Sequence, residues 1–328
     1  MNEREKIRDA FIEKSGWKGC VISTVAGDAS FRSYHRLHHG DQTAILMDAP
    51  PEYEDTLPFI AIARHLDRLG FRAPAITHHD IEGGFLILED FGDQLFKHAI
   101  AQAPDNEQNM YQGAIDLLVR LQSHPVPNNL PVFEHQPSHE LPVYDHALLM
   151  RELFLFPNWY LGTGENKTTC PHQQDLSDLF SPLLQKLGKP ETLVLRDFHA
   201  ENLMCLDDGT LGLLDFQDAV HGHPAYDLVS LLQDARRDVS PDLEARMIDY
   251  YLDKTGHDRD AFVTHYNILG AQRNTKIIGI FSRLAKRDNK PNYLDMIPHV
   301  WGLLDRNLQH PALNDACEWF NKNRQPKA

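Results

Sequence analysis

Two short apolar runs, each ending in an acid, constrain this chain more than any other feature. Leu193-Val194-Leu195 leads through Arg196 to Asp197, and Leu213-Leu214 leads to Asp215, with the turn Asp207-Asp208-Gly209 between them. The pattern reads as two short strands joined by a reversal, which brings Asp197, Asn202 and Asp215 to one place. An acid, an amide and a second acid are the parts that phosphoryl transfer requires. One carboxylate orients a hydroxyl nucleophile, and the amide with the other acid holds Mg²⁺ against the phosphates.

The chain has 328 residues, 42% of them hydrophobic and 24% charged, enough for one large or two modest domains. Its net charge of −15 argues against nucleic acid as the main partner, because that role needs a basic face. The excess acid is read as spread over the surface rather than gathered for a polycation. Mean hydropathy is −0.44, and no apolar run reaches the length of a membrane span. The charged start Met1-Asn2-Glu3-Arg4-Glu5-Lys6 lacks the apolar core of a signal peptide. Cys20, Cys170, Cys205 and Cys317 form no C-x-x-C pair and read as free thiols in a reducing cytoplasm. No obligate protein partner is evident.

Periodicity divides the chain into a strand-rich first part and a helical remainder. Residues 2–15 read as an amphipathic helix with Ile7, Phe11 and Ile12 on one side. A hairpin follows over 24–37, turning at Gly27-Asp28, then a strand over 43–48 and a helix over 57–69 that stops at Gly70. Phe85 to Glu89 is a further strand. Beyond Gly92 a helix is expected over 109–122, a long loop over 125–142, and an aromatic segment from Phe154 to Leu161 entering more helix. After the two acidic strands, helices are expected near 225–238, 242–255, 259–286 and 292–308.

Asp197 to Asn202 resembles the D-x-x-x-x-N catalytic loop of the protein-kinase-like superfamily, and Asp215-Phe216-Gln217 stands where that superfamily has Asp-Phe-Gly. The continuation Asp218-Ala219, Gly222 and Pro224-Ala225-Tyr226-Asp227-Leu228 resembles the aminoglycoside phosphotransferase family instead. The segments from Gly27 to Arg32, Met47 to Pro51, Leu88 to Asp93 and Leu228 to Asp238 look like bacterial anomeric sugar kinases. Those enzymes phosphorylate N-acetylmuramate and N-acetylglucosamine at carbon 1 in peptidoglycan recycling. The resemblance implies an α+β, protein-kinase-like fold of two lobes. Residues 1–91 would form a small β-rich N-lobe, and 92–328 a larger, mainly helical C-lobe. It implies a cytoplasmic enzyme using ATP and Mg²⁺ on a small amino sugar, with no membrane or nucleic-acid partner.

Residue by residue, the resemblance makes Asp197 the group that receives the acceptor hydroxyl and makes Asn202 and Asp215 the metal ligands. Asp227 would receive backbone N–H groups of the catalytic loop. His199 would either hold that loop by hydrogen bonds or simply pack. Gly27, Asp28, Ala29 and Ser30 would cover the phosphates, and Glu89 to Phe91 would be the hinge whose backbone pairs with adenine. Two departures stand out. Leu195-Arg196 replaces the usual His-Gly, and Met47 occupies the place of the strand lysine. The interior of the following helix also lacks a glutamate to pair with such a lysine. Another cation must then face the phosphates, and Arg32 is the candidate, its alternative being a solvated strand residue. For the acceptor, Glu152, Trp159, Asp234, Arg236 and Arg273 are candidate contacts, each also readable as an ordinary core or surface residue. An aminoglycoside, choline or homoserine-type phosphotransferase, or a nucleotide-binding pseudokinase, are the alternative functions.

Overall fold

The computed structural model describes residues 3–25, 31–133, 138–162 and 171–324. Gly27, Asp28, Ala29 and Ser30 lie outside them, as does Cys170. In chain order the described elements begin with α1 (Glu3–Lys14), β1 (Val21–Thr24), β2 (Ser33–His39), β3 (Gln42–Asp48), α2 (Leu57–Arg68), β4 (Ile76–Asp80) and β5 (Phe85–Leu88). They continue with α3 (Phe96–Gln102), α4 (Glu107–Gln122), β6 (Asn129–Pro131), β7 (Ser138–Glu140), α5 (His146–Leu153) and α6 (Pro171–Gln185). Strands β8 (Thr192–Val194), β9 (Leu203–Cys205), β10 (Leu211–Leu213) and β11 (Val220–Gly222) follow. The chain closes with α7 (Ala225–Leu232), α8 (Pro241–Thr255), α9 (Arg259–Arg287), α10 (Ile297–Leu308) and α11 (Asn314–Asn323).

Contacts group the chain into two compact units. Where the sequence suggests a single cut after residue 91, the first unit takes residues 1–99 and also 127–141 and 201–219. Its core is a five-stranded antiparallel sheet in the order β1-β2-β3-β5-β4. Side chains alternate across a sheet, and the register sets Leu37 opposite Ala44 and Leu46 opposite Ile87. Those four residues, with Phe85, bury one face under Phe11 and Ile12 of α1. Ile7, expected on the same helix face, is 42% exposed. Met47 points to the opposite face, paired with Tyr34 and Leu86, and is 1% exposed. The hairpin of β9 and β10 belongs to this unit as well, with Leu213 N–H donating to Arg72 O at 2.7 Å. Gly212 of β10 is required there, since a Cβ would stand 2.7 Å from the Phe91 ring.

The second unit is mainly helical and is organised by α9, which packs against α5, α7, α10 and the turn of π-helix at Phe156–Tyr160. Gly279 permits the last contact, because a Cβ would meet the Leu155 carbonyl carbon at 2.4 Å. The middle of α9 buries Gln272, Arg273, Asn274, Thr275 and Lys276 in succession. Buried polar groups need partners, and the side-chain amide N–H groups of Gln272 and Asn274 find them, while Gln272 Oε1 and Asn274 Oδ1 accept no hydrogen bond among the described residues. Gln272 donates to Leu149 O at 2.9 Å, while Asn274 donates to Gln233 Oε1 at 2.8 Å and to Asn307 Oδ1 at 3.0 Å. Strands β8 and β11 pair antiparallel in this unit and lead into the segment over 195–200 and into α7 respectively.

Candidate active site

Asn202 and Asp215 flank the β9–β10 hairpin, so the hairpin fixes both. Leu214 N–H donates to Asn202 O at 2.9 Å, and the Asn202 amide nitrogen lies 3.5 Å from Asp215 Oδ2. Asp215 adopts φ +54, a left-handed conformation that costs a non-glycine residue about 1–3 kcal/mol. Its neighbours over-determine it. Phe216 is fully buried against Phe59 of α2, with ring centroids 4.9 Å apart, and Gln217 Nε2 donates to Asp215 Oδ1 at 2.9 Å. An amide and a carboxylate are hard oxygen donors. Mg²⁺ ordinarily takes one or two protein carboxylates and completes its shell with water and phosphate, so this pair fits it. Among the described residues no group of three or more His, Cys, Asp or Glu could cage a metal.

The cation beside this pair is Arg32. Its guanidinium lies 3.5 Å from Asp215 and 3.8 Å from Glu54, and its side chain is only 9% exposed. Burial works against its charge, but Tyr34, Asp215, Glu54 and Asp218 outweigh that and keep its pKa above the ordinary arginine value. At the expected hinge, Glu89 is engaged through both its backbone and its side chain. Its N–H donates to Ala75 O at 2.8 Å, and its carboxylate pairs with Arg72 at 2.8 Å. Arg36 braces the next turn, donating to Asp90 Oδ1 and to Gly92 O, both at 3.0 Å.

Asp197, Arg196 and His199 belong to the second unit, which the loop leaves between Ala200 and Glu201. Asp227 of α7 is fully buried and accepts Leu195 N–H at 2.7 Å and Arg196 N–H at 2.9 Å. Burial pushes its carboxyl up to about 7 despite those two donors. Asp234 supports the other end of the segment, with Oδ2 3.3 Å from Ala200 N and Oδ1 accepting Arg236 N–H at 2.8 Å. His199 is buried, its N–H donates to Asp197 O at 3.0 Å, and its Nε2 lies 3.4 Å from Arg236 Nη1. Burial depresses the His199 pKa, opposed by Asp234 and Asp197 and assisted by Arg236 and Arg273. Asp197 itself is partly exposed. Burial raises its pKa, but His199, Lys276, Arg273 and Arg196 together bring it below the ordinary carboxylate value, so it is a carboxylate at neutral pH.

Among the candidate acceptor contacts, Glu152, Asp234 and Arg273 are buried and bonded within the second unit. Arg273 donates to Ser230 Oγ at 2.8 Å, and Trp159, half-buried in the π-helical turn, accepts Lys286 Nζ at its carbonyl at 2.6 Å. Arg236 is exposed. Sequence reasoning missed Glu54 and Gln217, the partners of Arg32 and Asp215. Glu54 sits in an irregular acidic stretch with no period to mark it. Gln217 was visible only as the residue replacing glycine after Asp215-Phe216.

The antiparallel sheet of the first unit and the helical unit built around α9 are those of a phosphotransferase fold, and the family comparison agrees. The model of the "Phosphotransferase enzyme family" matches residues 21–263. The chain belongs to that family. It is 36% identical to the N-acetylmuramate/N-acetylglucosamine kinase of Caulobacter vibrioides, across 98% of this chain and 97% of that one. It is 35% identical to the kinase of the same name from Pseudomonas aeruginosa, across 85% and 81%. Among solved structures, choline kinase LicA from Streptococcus pneumoniae superposes with a TM-score of 0.65 over 93% of this chain and all of that one. At 14% identity that likeness speaks for the protein-kinase-like fold alone.

Proposed function

We propose that this chain is an ATP-dependent sugar kinase acting on the anomeric hydroxyl of N-acetylmuramate and N-acetylglucosamine, in the cytoplasm, where it would serve cell-wall recycling. One observation carries the reading: full-length similarity at 36% identity to a kinase named for those two sugars. The residues support it. Asp197, a carboxylate at neutral pH, accepts the hydrogen bond of the sugar hydroxyl and takes its proton as the oxygen attacks the γ-phosphorus. The bond from that phosphorus to the β,γ-bridging oxygen breaks, and ADP leaves. An anomeric hydroxyl is more acidic than an ordinary alcohol, so positioning matters more than basicity. Asn202 and Asp215 would hold Mg²⁺, which supplies neutralisation of phosphate charge. Arg32 faces the phosphates in place of the lysine absent at Met47. The Phe91 N–H, which has no protein acceptor among the described residues, suits an adenine ring nitrogen. Arg236, exposed and tethered at its backbone by Asp234, is suited to the carboxylate of N-acetylmuramate.

The test is to incubate the protein with ATP, Mg²⁺ and, separately, N-acetylmuramate, N-acetylglucosamine, kanamycin and choline, following ADP and ³¹P NMR. A sugar-dependent anomeric phosphate is the expected result. ADP release with kanamycin or choline alone overturns the acceptor. In Asp197→Ala, turnover should fall by about 10²–10⁴-fold while nucleotide binding persists.

A further inference from the structure

The residue before Asp197 is strained. Arg196 has φ +72, where the related pattern carries glycine. Among the described residues only three non-glycine positions have positive φ, and two of them, Arg196 and Asp215, adjoin the proposed chemistry. Such a conformation persists only where its surroundings enforce it. Asp227 holds the Arg196 N–H from below at 2.9 Å. The guanidinium is held by Glu152 of α5. That carboxylate also receives the Tyr144 hydroxyl and lies 3.2 Å from Lys276 Nζ of α9. Lys276 in turn donates to the Tyr226 hydroxyl of α7 at 2.8 Å, and the Tyr144 and Tyr226 hydroxyls are 3.0 Å apart. Four parts of the second unit thus meet at one carboxylate, which is 8% exposed.

The charges explain why a carboxylate is needed there. Asp197 is faced by Arg196 and His199 from its own loop, by Asp227 from α7, and by Arg273 and Lys276 from α9. Three fixed cations surround it. Glu152 engages two of them, Arg196 and Lys276. We propose that Glu152 is a positioning residue for Asp197: it holds Arg196 in its left-handed conformation and balances the charges of Arg196 and Lys276, the two cations it pairs with. This rests on the reading of Asp197 given above. It also removes Glu152 from the candidates for direct sugar contact, because its oxygens are committed to protein donors.

Glu152→Gln tests it, since the amide preserves shape and acceptor capacity but removes the charge. We expect kcat for N-acetylglucosamine to fall by roughly 10²-fold, the scale of a displacement of about 1 Å at a reacting group, with ATP binding unchanged. With one balancing anion fewer among those cations, the acid limb of the kcat–pH profile should move to lower pH. Arg196→Gly relieves the backbone strain while removing the guanidinium, and in that background Glu152→Gln should cost less than it does alone. Three outcomes overturn the proposal: an unchanged profile and kcat in a folded Glu152→Gln, losses that only follow a lowered Tm, or full additivity with Arg196→Gly. Absence of sugar turnover in the unsubstituted protein, or full turnover in Asp197→Ala, instead overturns the functional reading beneath it.

Discussion

Arg32→Met is the most informative single substitution for the proposed phosphate contact. The guanidinium is nearly buried and lies 3.5 Å from Asp215 and 3.8 Å from Glu54. Unit charges about 4 Å apart interact by ~4 kcal/mol at an effective dielectric constant of ~20. The two acids therefore fix the arginine firmly even before nucleotide arrives. If the arginine then faces phosphate, the lost charge-assisted hydrogen bond is worth about 1.5–3 kcal/mol. That converts to a rise of roughly 10- to 150-fold in the dissociation constant for ATP. Adenosine carries no phosphate and should bind Arg32→Met and the unsubstituted protein alike. The assay is titration of both ligands into both proteins, with Arg32→Lys as a third case that keeps charge but loses the planar fork and should fall between them. Equal weakening for ATP and adenosine would mean that Arg32 only supports the fold. No weakening for either would mean that some other group meets the phosphates.

Two further substitutions test how charge is managed in each unit. Met47→Lys introduces the lysine expected from the protein-kinase-like pattern, but into a site that is 1% exposed and lacks an acidic partner in the interior of α2; burying an unpaired ammonium should cost several kcal/mol, read as a lower urea midpoint with no gain in ATP affinity, and undiminished stability with tighter ATP binding would refute the account of the missing lysine. In the second unit His223 is held neutral, its Nδ1 accepting Ala225 N–H at 3.1 Å and its Nε2 3.0 Å from His265 Nδ1. Burial, then His265 and His257, depress its pKa to about 3. Because the folded value lies below the unfolded one, this histidine's contribution is fully present above about pH 6.5 and is lost as pH falls toward 3, at about 1.4 kcal/mol per pH unit. His223→Gln should therefore lose less stability than the unsubstituted protein between near-neutral and mildly acidic pH in urea titrations; equal losses would refute the assignment.

What the sequence revealed and what it hid follow from how far apart interacting residues lie in the chain. Strands β3 and β5 were legible because burial writes itself as apolar runs, Ala44 to Met47 and Phe85 to Leu88. Asn202 and Asp215 were legible as a pair because one hairpin sets their spacing, whereas Asp197 belongs to the second unit. Strand β4, Ile76-Thr77-His78-His79-Asp80, was missed because its side chains are largely exposed and carry no apolar alternation. Strands β6 and β7, three residues each, interrupt what reads as a Pro- and His-rich loop and are too short to show a period. Helix α7 ends six residues short of the span 225–238 that its sequence suggests. The chain stops at Leu232 because the Asp234 carboxylate accepts Arg236 N–H and lies against Ala200 N.

The site divides along the same line. A missing group can be noticed in a sequence; its replacement cannot, unless it is close in the chain. Met47 marks the place of an expected lysine, and Arg32, the candidate cation, lies close enough in the chain to be considered, its place beside Asp215 being what the structure adds. Glu54, which pairs with Arg32, offered no such signal. Glu152 is the sharper case. Its partners Arg196 and Lys276 lie 44 and 124 positions further along the chain, and only the packing of α5, α7 and α9 makes them neighbours. An arginine before Asp197, where the resemblance expects glycine, is unfavourable by backbone geometry alone. It becomes tolerable when a buried carboxylate elsewhere needs a cation, and that carboxylate has two cations of its own to balance. The glycine-to-arginine exchange and the glutamate are therefore best understood as one change. Relatives with glycine before the acid should lack a glutamate equivalent to Glu152, and relatives with arginine there should keep it; a survey of paired positions in related chains that finds the two varying independently would break the link between them.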